Sequence, residues 1–401
     1  MSAPIALYVH VPFCVSLCPY CDFVVYAGAA ARGPRSRVAA FVEALLVELR
    51  LRADRLDSTA PGHRPLESLY LGGGTPSLLP ADAIAGIVDT VRERFGLADG
   101  AEVTLEVNPG PDERGDAAAQ RRAGITRLSI GSQSLDPAEL RRLGRRHRPA
   151  DVADTVAAAR DGGIGSIGLD LLYDIPGSTD ETWAATLEAA IDLRPDHLSL
   201  YALTLDDPAA EGLTGPLGDH LPIPDGARRW RDRARREQDE DQAASQYGHA
   251  AERLATAGFR GYEISNWARP GHESRHNLAY WERRPFEAVG PGAHAFDGAT
   301  RRWNAARLDA WLDALLPGAG GTPRLPPGGS ERLTAAVAAA ERVILGLRLD
   351  RGLPARSAAR PPLDRAAGWA LQHDLLAIVG DRIALTTRGR LLSNELFARL
   401  V

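Results

Sequence analysis

Three cysteines, Cys14, Cys18 and Cys21, are the only thiols in this 401-residue chain, and all three lie in the stretch VHVPFCVSLCPYCDF at positions 9–23. Thiolates at that spacing on one short loop suit soft metals. A structural zinc site closes with four ligands, and His10 is a candidate for the fourth. An iron–sulfur cluster also normally takes four thiolates. Three would leave one iron open, and an open iron can bind a substrate. A third reading, an inert buried trio, is awkward with Pro12 and Pro19 set beside and among the cysteines. An odd thiol count with no secretory signal argues against a disulfide framework.

The elements that must position this loop are legible as alternation. Short apolar stretches at Ile5–Val11, Ser68–Leu71, Glu102–Val107, Arg127–Ile130, Gly165–Leu171 and His197–Tyr201 read as strands. Amphipathic patterns such as SRVAAFVEALLVELRLRADR and DVADTVAAARDGG read as helices between them, the second closing on a glycine stop. Six strand–helix repeats in order imply a parallel sheet with right-handed crossovers. Without a mid-chain break such a sheet curls into a barrel or partial barrel. The cysteine loop follows the first strand and GGGTPS (72–77) follows the second, on the C-terminal face where such barrels bind ligands. Glycines there let the backbone approach a ligand closely. Glu106 in TLEVNP, Gln133 in IGSQS and Asp170 in IGLDLLYDIPG recur near later strand ends. Each alone reads as a cap or a solvated loop residue; their recurrence in order reads as a site.

The remainder divides by composition. Residues 1–227 read as the barrel, with a Pro-, Gly- and Asp-rich connection closing it, and 228–316 as a connecting segment that opens on a strongly charged, solvated helical stretch. Four of the seven Trp fall between Tyr262 and Trp311, beside His and Asn residues. A Gly/Pro-rich linker (317–330) precedes a tail, 331–401, whose helix, hairpin-like IVGDRIALT and last helix resemble a small winged-helix module. Its mixed charges argue against DNA binding. Every one of the 47 basic residues is Arg, which removes a P-loop lysine and a Schiff-base lysine, and the net charge of −5 gives no bulk drive toward nucleic acid or anionic lipid. No run approaches the roughly 18 apolar residues of a membrane span. The N-terminus lacks the basic start and apolar core of a signal peptide. The expectation is a cytoplasmic protein, with peripheral membrane contact left open.

C-x3-C-x2-C after a first strand, with Tyr20 before the last Cys, resembles the radical S-adenosylmethionine superfamily. Within it, YVHVPFC, GGGTPS, LEVNP, GSQS and the D-L-x-Y-x-I-P-G run resemble the group of oxygen-independent coproporphyrinogen III oxidase. The resemblance implies an α/β fold: a partial (β/α)6 barrel with a C-terminal α+β extension and a winged-helix-like tail. It implies a [4Fe–4S] cluster on Cys14, Cys18 and Cys21, with S-adenosylmethionine on the fourth iron. Tyr8, Tyr20, Gly73, Gly74, Thr75, Glu106, Gln133, Arg145 and Asp170 would line that cofactor's site. Glycine amides would meet its amino-acid end, Arg145 its carboxylate and Asp170 its ribose. One departure is Phe23, where the decarboxylating oxidase carries a further cysteine; another is the short segment before Tyr8. The string His276-Asn277-x-x-Tyr280-Trp281 resembles instead the signature of the HemW-type haem chaperones, which bind haem and pass it to respiratory haem proteins. Imidazole suits iron, and Tyr and Trp offer flat faces to a porphyrin. The alternative is that His276, Tyr280 and Trp281 only pack around the barrel mouth. His294, in GPGAHAF, is a second imidazole in that block whose role the sequence leaves open. The resemblance therefore implies a haem chaperone, no assigned catalytic residue and cofactor cleavage as an open question. Its alternatives are the oxidase, working by radical decarboxylation, and a zinc-stabilised binding protein.

Overall fold

The computed structural model describes residues 3–401. Strands β1 (Ala6–Val11), β2 (Leu66–Gly73), β3 (Leu97–Val107), β4 (Arg127–Gln133), β5 (Ser166–Tyr173) and β6 (His197–Ala202) lie parallel and adjacent in chain order. Helices α1 (Val38–Thr59), α2 (Ala81–Arg94), α3 (Ala117–Arg122), α4 (Pro137–Arg142), α5 (Pro149–Asp161) and α6 (Asp180–Asp192) lie between them in sequence. All six strand candidates are strands, β3 beginning at Leu97 instead of Glu102.

Side chains alternate across the sheet. Leu7, Val9 and Val11 of β1 are fully buried in the main core, and Val9, Leu71, Leu105, Leu128 and Ile167 stand in register across five strands. This face packs on helix stripes such as Phe41, Leu45 and Leu49 of α1 and Ile84, Ile87, Val88 and Val91 of α2. Each such side chain, fully buried, stabilises by ~1.5–3 kcal/mol. The intervening positions are polar or aromatic: Tyr8 and His10, Tyr70, Thr104 and Glu106, Ser129, Asp170, Ser199 and Tyr201. The helix-covered face is therefore a conventional core, and the inner face of the curved sheet is furnished for chemistry.

The sheet continues past β6. Strands β7 (Arg260–Gly261) and β8 (Asn266–Ala268) add antiparallel at that edge. At the other edge β9 (Phe286–Val289) pairs parallel with β1. An antiparallel ribbon of β10 (His294–Phe296), β11 (Thr300–Asn304) and β12 (Gly328–Arg332) follows, giving the order β12-β11-β10-β9-β1-β2-β3-β4-β5-β6-β8-β7. Residues 228–316, expected as a connection, thus supply strands to both edges of the barrel sheet. They also supply most of α7 (Asp225–Ala234) and all of α8 (Glu240–Thr256), α9 (Arg275–Trp281) and α10 (Leu308–Leu315). The mixed α/β partial barrel is the architecture expected.

The tail begins with α11 (Ala335–Arg348), followed by β13 (Leu353–Pro354), α12 (Asp364–Gln372) and the hairpin β14 (Leu376–Val379) and β15 (Arg382–Leu385). It has its own core, built on Leu347, Leu363, Ala370, Leu376, Ile383 and Leu396. Among the described residues no helix is long and apolar enough to cross a membrane.

Candidate functional site

The cysteine loop leaves β1 at its C-terminal end. Cys14 sits in a two-residue strand that pairs with Tyr26–Ala27, and the Cys21 N–H bonds the Cys18 carbonyl at 3.1 Å. Burial pushes the Cys14 thiol up to about 11, against the pull of its hydrogen bond with Thr75, and burial also pushes Cys21 well above the ordinary thiol range. The thiolate is the metal-binding form. In this pocket it forms only with a cation to hold it, as an iron cluster would. His10 does not complete a zinc site. Its Nε2 faces the Val24 carbonyl at 2.9 Å and its Nδ1 the Tyr8 hydroxyl at 3.0 Å, while burial lowers it to about 4. Among the described residues no three His, Cys, Asp or Glu side chains converge on a single-ion shell.

The next strand ends close around the loop. A Cβ on Gly73, which sits at φ +109°, would enter the His10 ring, and one on Gly74 would lie 2.7 Å from the Phe13 carbonyl. Glycine here lets β2 press against the cysteine loop. The amides expected to face a ligand are already used: Gly73 N–H donates to Glu106 Oε2 (2.8 Å), Gly74 to Val11 (2.8 Å) and Thr75 to Phe13 (2.7 Å). The Thr75 hydroxyl lies 3.2 Å from Cys14 Sγ and accepts from Asn108 Nδ2 at 2.9 Å. Glu106 also accepts from the Tyr70 hydroxyl at 2.9 Å, and burial raises it to about 7, with Asp170 adding to the rise. Asp170, likewise raised by burial, accepts from Ser129 Oγ at 3.0 Å. Gln133 holds a left-handed φ of 65° where the β4–β5 register slips. Arg145 places Nη1 3.8 Å from Cys18 Sγ and donates Nη2 to Asn108 and Gly131, but its Nε is buried with no partner. An unpaired guanidinium N–H beside carboxylates and thiols fits an anionic ligand group. Burial lifts Tyr20 upward, and the Arg145 guanidinium beside it opposes the rise.

Two contributors escaped the sequence reading. Asn108 links Thr75 to Arg145, and its signal was its place two residues beyond Glu106. Arg231 lies in the charged segment read as solvated, yet it is 1% exposed. It donates to the Pro19 and Tyr20 carbonyls at 3.0 and 2.9 Å and so clamps the cysteine loop to α7. Nothing local distinguished it among the arginines around it.

The H-N-x-x-Y-W string forms α9. Ser274 caps its start, and the Glu102 carboxylate of β3 accepts from the N–H groups of Arg275 and His276 at 3.1 Å each. This docks His276 inside the barrel, packed against Tyr70 at 5.0 Å between ring centroids. His276 is 1% exposed, its Nδ1 is 2.9 Å from Ser68 Oγ and its Nε2 2.8 Å from Tyr280 Oη, and burial lowers it to about 3. The imidazole is not free to take an iron as it stands. Asn277 is half-buried on the same helix. Tyr280 and Trp281 reach further, into a cleft of about 480 Å³ that also takes in Tyr8, His10, Phe23, His294, Phe296 and Leu345. Phe23 is 62% exposed there, directly after the cysteine loop.

Strand order, cysteine loop and polar strand ends define a radical S-adenosylmethionine domain, and the family model "Radical SAM superfamily" matches residues 8–190. The chain belongs to the family of the heme chaperone HemW. It is 38% identical to "Heme chaperone HemW" of Mycobacterium tuberculosis over 398 residues, covering 99% of this chain and 95% of that one. It is 36% identical to the protein of that name from Escherichia coli, over 73% of this chain and 70% of that one. Against the mitochondrial "Radical S-adenosyl methionine domain-containing protein 1" of Mus musculus it is 36% identical, over 88% and 75%. Among solved structures, the coproporphyrinogen III oxidase HemN of Escherichia coli matches with a TM-score of 0.77 at 22% identity, covering 100% of this chain and 90% of that one. That last likeness concerns the fold.

Proposed function

We propose that this protein is a cytoplasmic haem chaperone. It holds haem in the cleft and a [4Fe–4S] cluster on Cys14, Cys18 and Cys21, with S-adenosylmethionine beside the cluster, and it delivers haem to respiratory haem proteins. The observation that carries the reading is that cluster loop and cleft share walls. Tyr8 and His10 of β1, Phe23 after the last cysteine, and Tyr280 and Trp281 of α9 line one cleft of small-ligand size.

Held by Cys14, Cys18 and Cys21, such a cluster would offer S-adenosylmethionine an open iron and a source of one electron. The protein's own part is placement. Arg145, with its unpaired Nε, pairs the cofactor carboxylate. Asp170, held by Ser129, accepts from ribose hydroxyls, and Glu106 faces the amino-acid end in place of the glycine amides, which are already bonded. Tyr20, Thr75 and Gln133 complete that wall. Tyr280 and Trp281 offer their rings to the porphyrin with Asn277 beside them on α9, while His276 holds the helix in position through Ser68 and Tyr280.

Titrating haem into the anaerobically reconstituted chain, followed by its Soret absorbance, should show one saturable equivalent per chain, transferable to an added apo haem protein. No saturable binding with the cluster intact would overturn the reading. Protoporphyrinogen and 5′-deoxyadenosine formed from coproporphyrinogen III would replace it with the oxidase.

A further inference from the structure

The cleft holds imidazoles that lie outside the H-N-x-x-Y-W string. His294 opens β10 with Nε2 2.8 Å from Asp219 Oδ2, and His220 places Nδ1 3.1 Å from Asp219 Oδ1. The Asp219 carboxylate stands beside Nε2, which leaves Nδ1 as the ring nitrogen turned away from it. Among the described residues His294 Nδ1 has no hydrogen-bond partner. A carboxylate behind an imidazole is the arrangement that fixes tautomer and ring orientation in metal-binding histidines. Trp303 stacks on the ring at 6.0 Å and 22°, itself anchored by Nε1–H to the Leu217 carbonyl at 3.2 Å. The His294 side chain keeps 46% of its surface, against 1% for His276.

A second observation lies two residues along the same ribbon. Phe296 shares a strand face with His294, and Arg301 pairs with Phe296 across β10–β11. At ~3.4 Å per residue the imidazole and guanidinium rows stand about 7 Å apart, the scale of half a porphyrin. Arg283 lies over the Phe296 ring at 4.6 Å. Its side chain is 9% exposed, and its Nη2 is buried without an acceptor. Glu341 pairs with both Arg283 and Arg301, and Glu331 stands 3.8 Å from Arg301, so the charges balance and what remains is the unused Nη2 donor of Arg283. The cleft thus has aromatic walls, an accessible imidazole at one end and an unsatisfied guanidinium donor further along.

We infer that His294, oriented by Asp219, is the protein's axial ligand to the haem iron, with Arg283 and Arg301 receiving a propionate. The inference rests on the haem-binding reading above and deepens it. His276 becomes a positioning residue that holds Tyr280, and the iron contact moves to the ribbon.

Ferric haem is titrated into the full-length wild-type chain, His294→Ala and His276→Ala, with absorbance and electron paramagnetic resonance spectra recorded at saturation and far-UV circular dichroism as the folding control. His294→Ala should lose the histidine-ligated spectrum and at least tenfold in affinity. Added imidazole should restore the spectrum, which a purely structural role would not allow. His276→Ala should keep the histidine-ligated spectrum, and Asp219→Asn should keep ligation with an altered ligand field. If wild type binds no haem, the haem-binding reading itself fails. If wild type binds and folded His294→Ala is unchanged, or only His276→Ala loses the ligated spectrum, the ligand assignment fails alone.

Discussion

Several side chains in the barrel mouth are held in states that water would not favour. Glu106 shows what this does to stability. Burial, opposed by its bond from Gly73 and reinforced by Asp170, lifts it to about 7, above its unfolded value near 4.3. Folding therefore favours the protonated acid. That contribution is complete below the unfolded value and is lost as pH rises through 7, on the order of 3 kcal/mol at most. Glu106→Gln removes the titration and keeps one acceptor for Gly73 N–H. Thermal denaturation of the cofactor-free chain should then show the variant gaining on wild type between pH 5 and pH 8. A difference that stays flat or reverses would refute the account. Glu106 was legible because it is acidic, near a strand end and followed by Asn-Pro. Its partner Tyr70 was not, since a tyrosine inside an apolar run reads equally well as core.

At the scale of elements, the cysteine loop is defined by what presses on it. The glycines after β2 allow contact from one side, and α7 holds it from the other through Arg231. Removing that guanidinium leaves the Pro19 and Tyr20 carbonyls without their donor, and a buried acceptor left unmade costs ~1–3 kcal/mol. Arg231→Leu should lower thermal stability by about 3 kcal/mol in total. It should also reduce the iron and labile sulfide that survive desalting, whereas the neighbouring exposed Arg229→Leu should leave both near wild type. Equal retention in the two variants would remove the clamp from the picture. Charge patterning placed both arginines on a solvated helix. Only the docking of α7 separates them, because burial of one residue in a uniformly charged stretch depends on a partner about two hundred residues away.

The whole molecule joins a barrel sheet to a tail with its own core, and the junction is polar. Glu341 of α11 bonds Arg283 Nε at 2.9 Å and pairs with Arg301, while Arg348 lies over Trp281 at 4.2 Å. Breaking a buried pair by removing one partner is far costlier than losing a surface pair, ~3–5 kcal/mol. Glu341→Ala strands the largely buried Arg283. The expected result is a stability loss of about 3 kcal/mol and faster proteolysis at the connection between β12 and α11 (333–334) as the tail loosens. Proteolysis and melting unchanged from wild type would show the junction to be held elsewhere. Because Leu345 and Glu341 line the cleft, the tail is one of its walls, a role the winged-helix-like pattern by itself did not suggest.

By itself the sequence determined the strand–helix alternation, the six parallel strands and the three-thiol loop. Those signals are local: periodicity, glycine and proline punctuation, and the spacing of rare residues need no knowledge of distant contacts. It also contained the H-N-x-x-Y-W string, but not the direction in which each side chain points. Tertiary structure decided that His276 turns into the barrel and bonds Ser68 and Tyr280, while His294 stays accessible on a ribbon added to the far edge of β1. It also decided that Asp219, from a Pro/Gly-rich connection, stands behind that imidazole. Whether a histidine is a core residue or a ligand depends on which of its nitrogens find partners, and those partners come from segments that only the folded chain brings together.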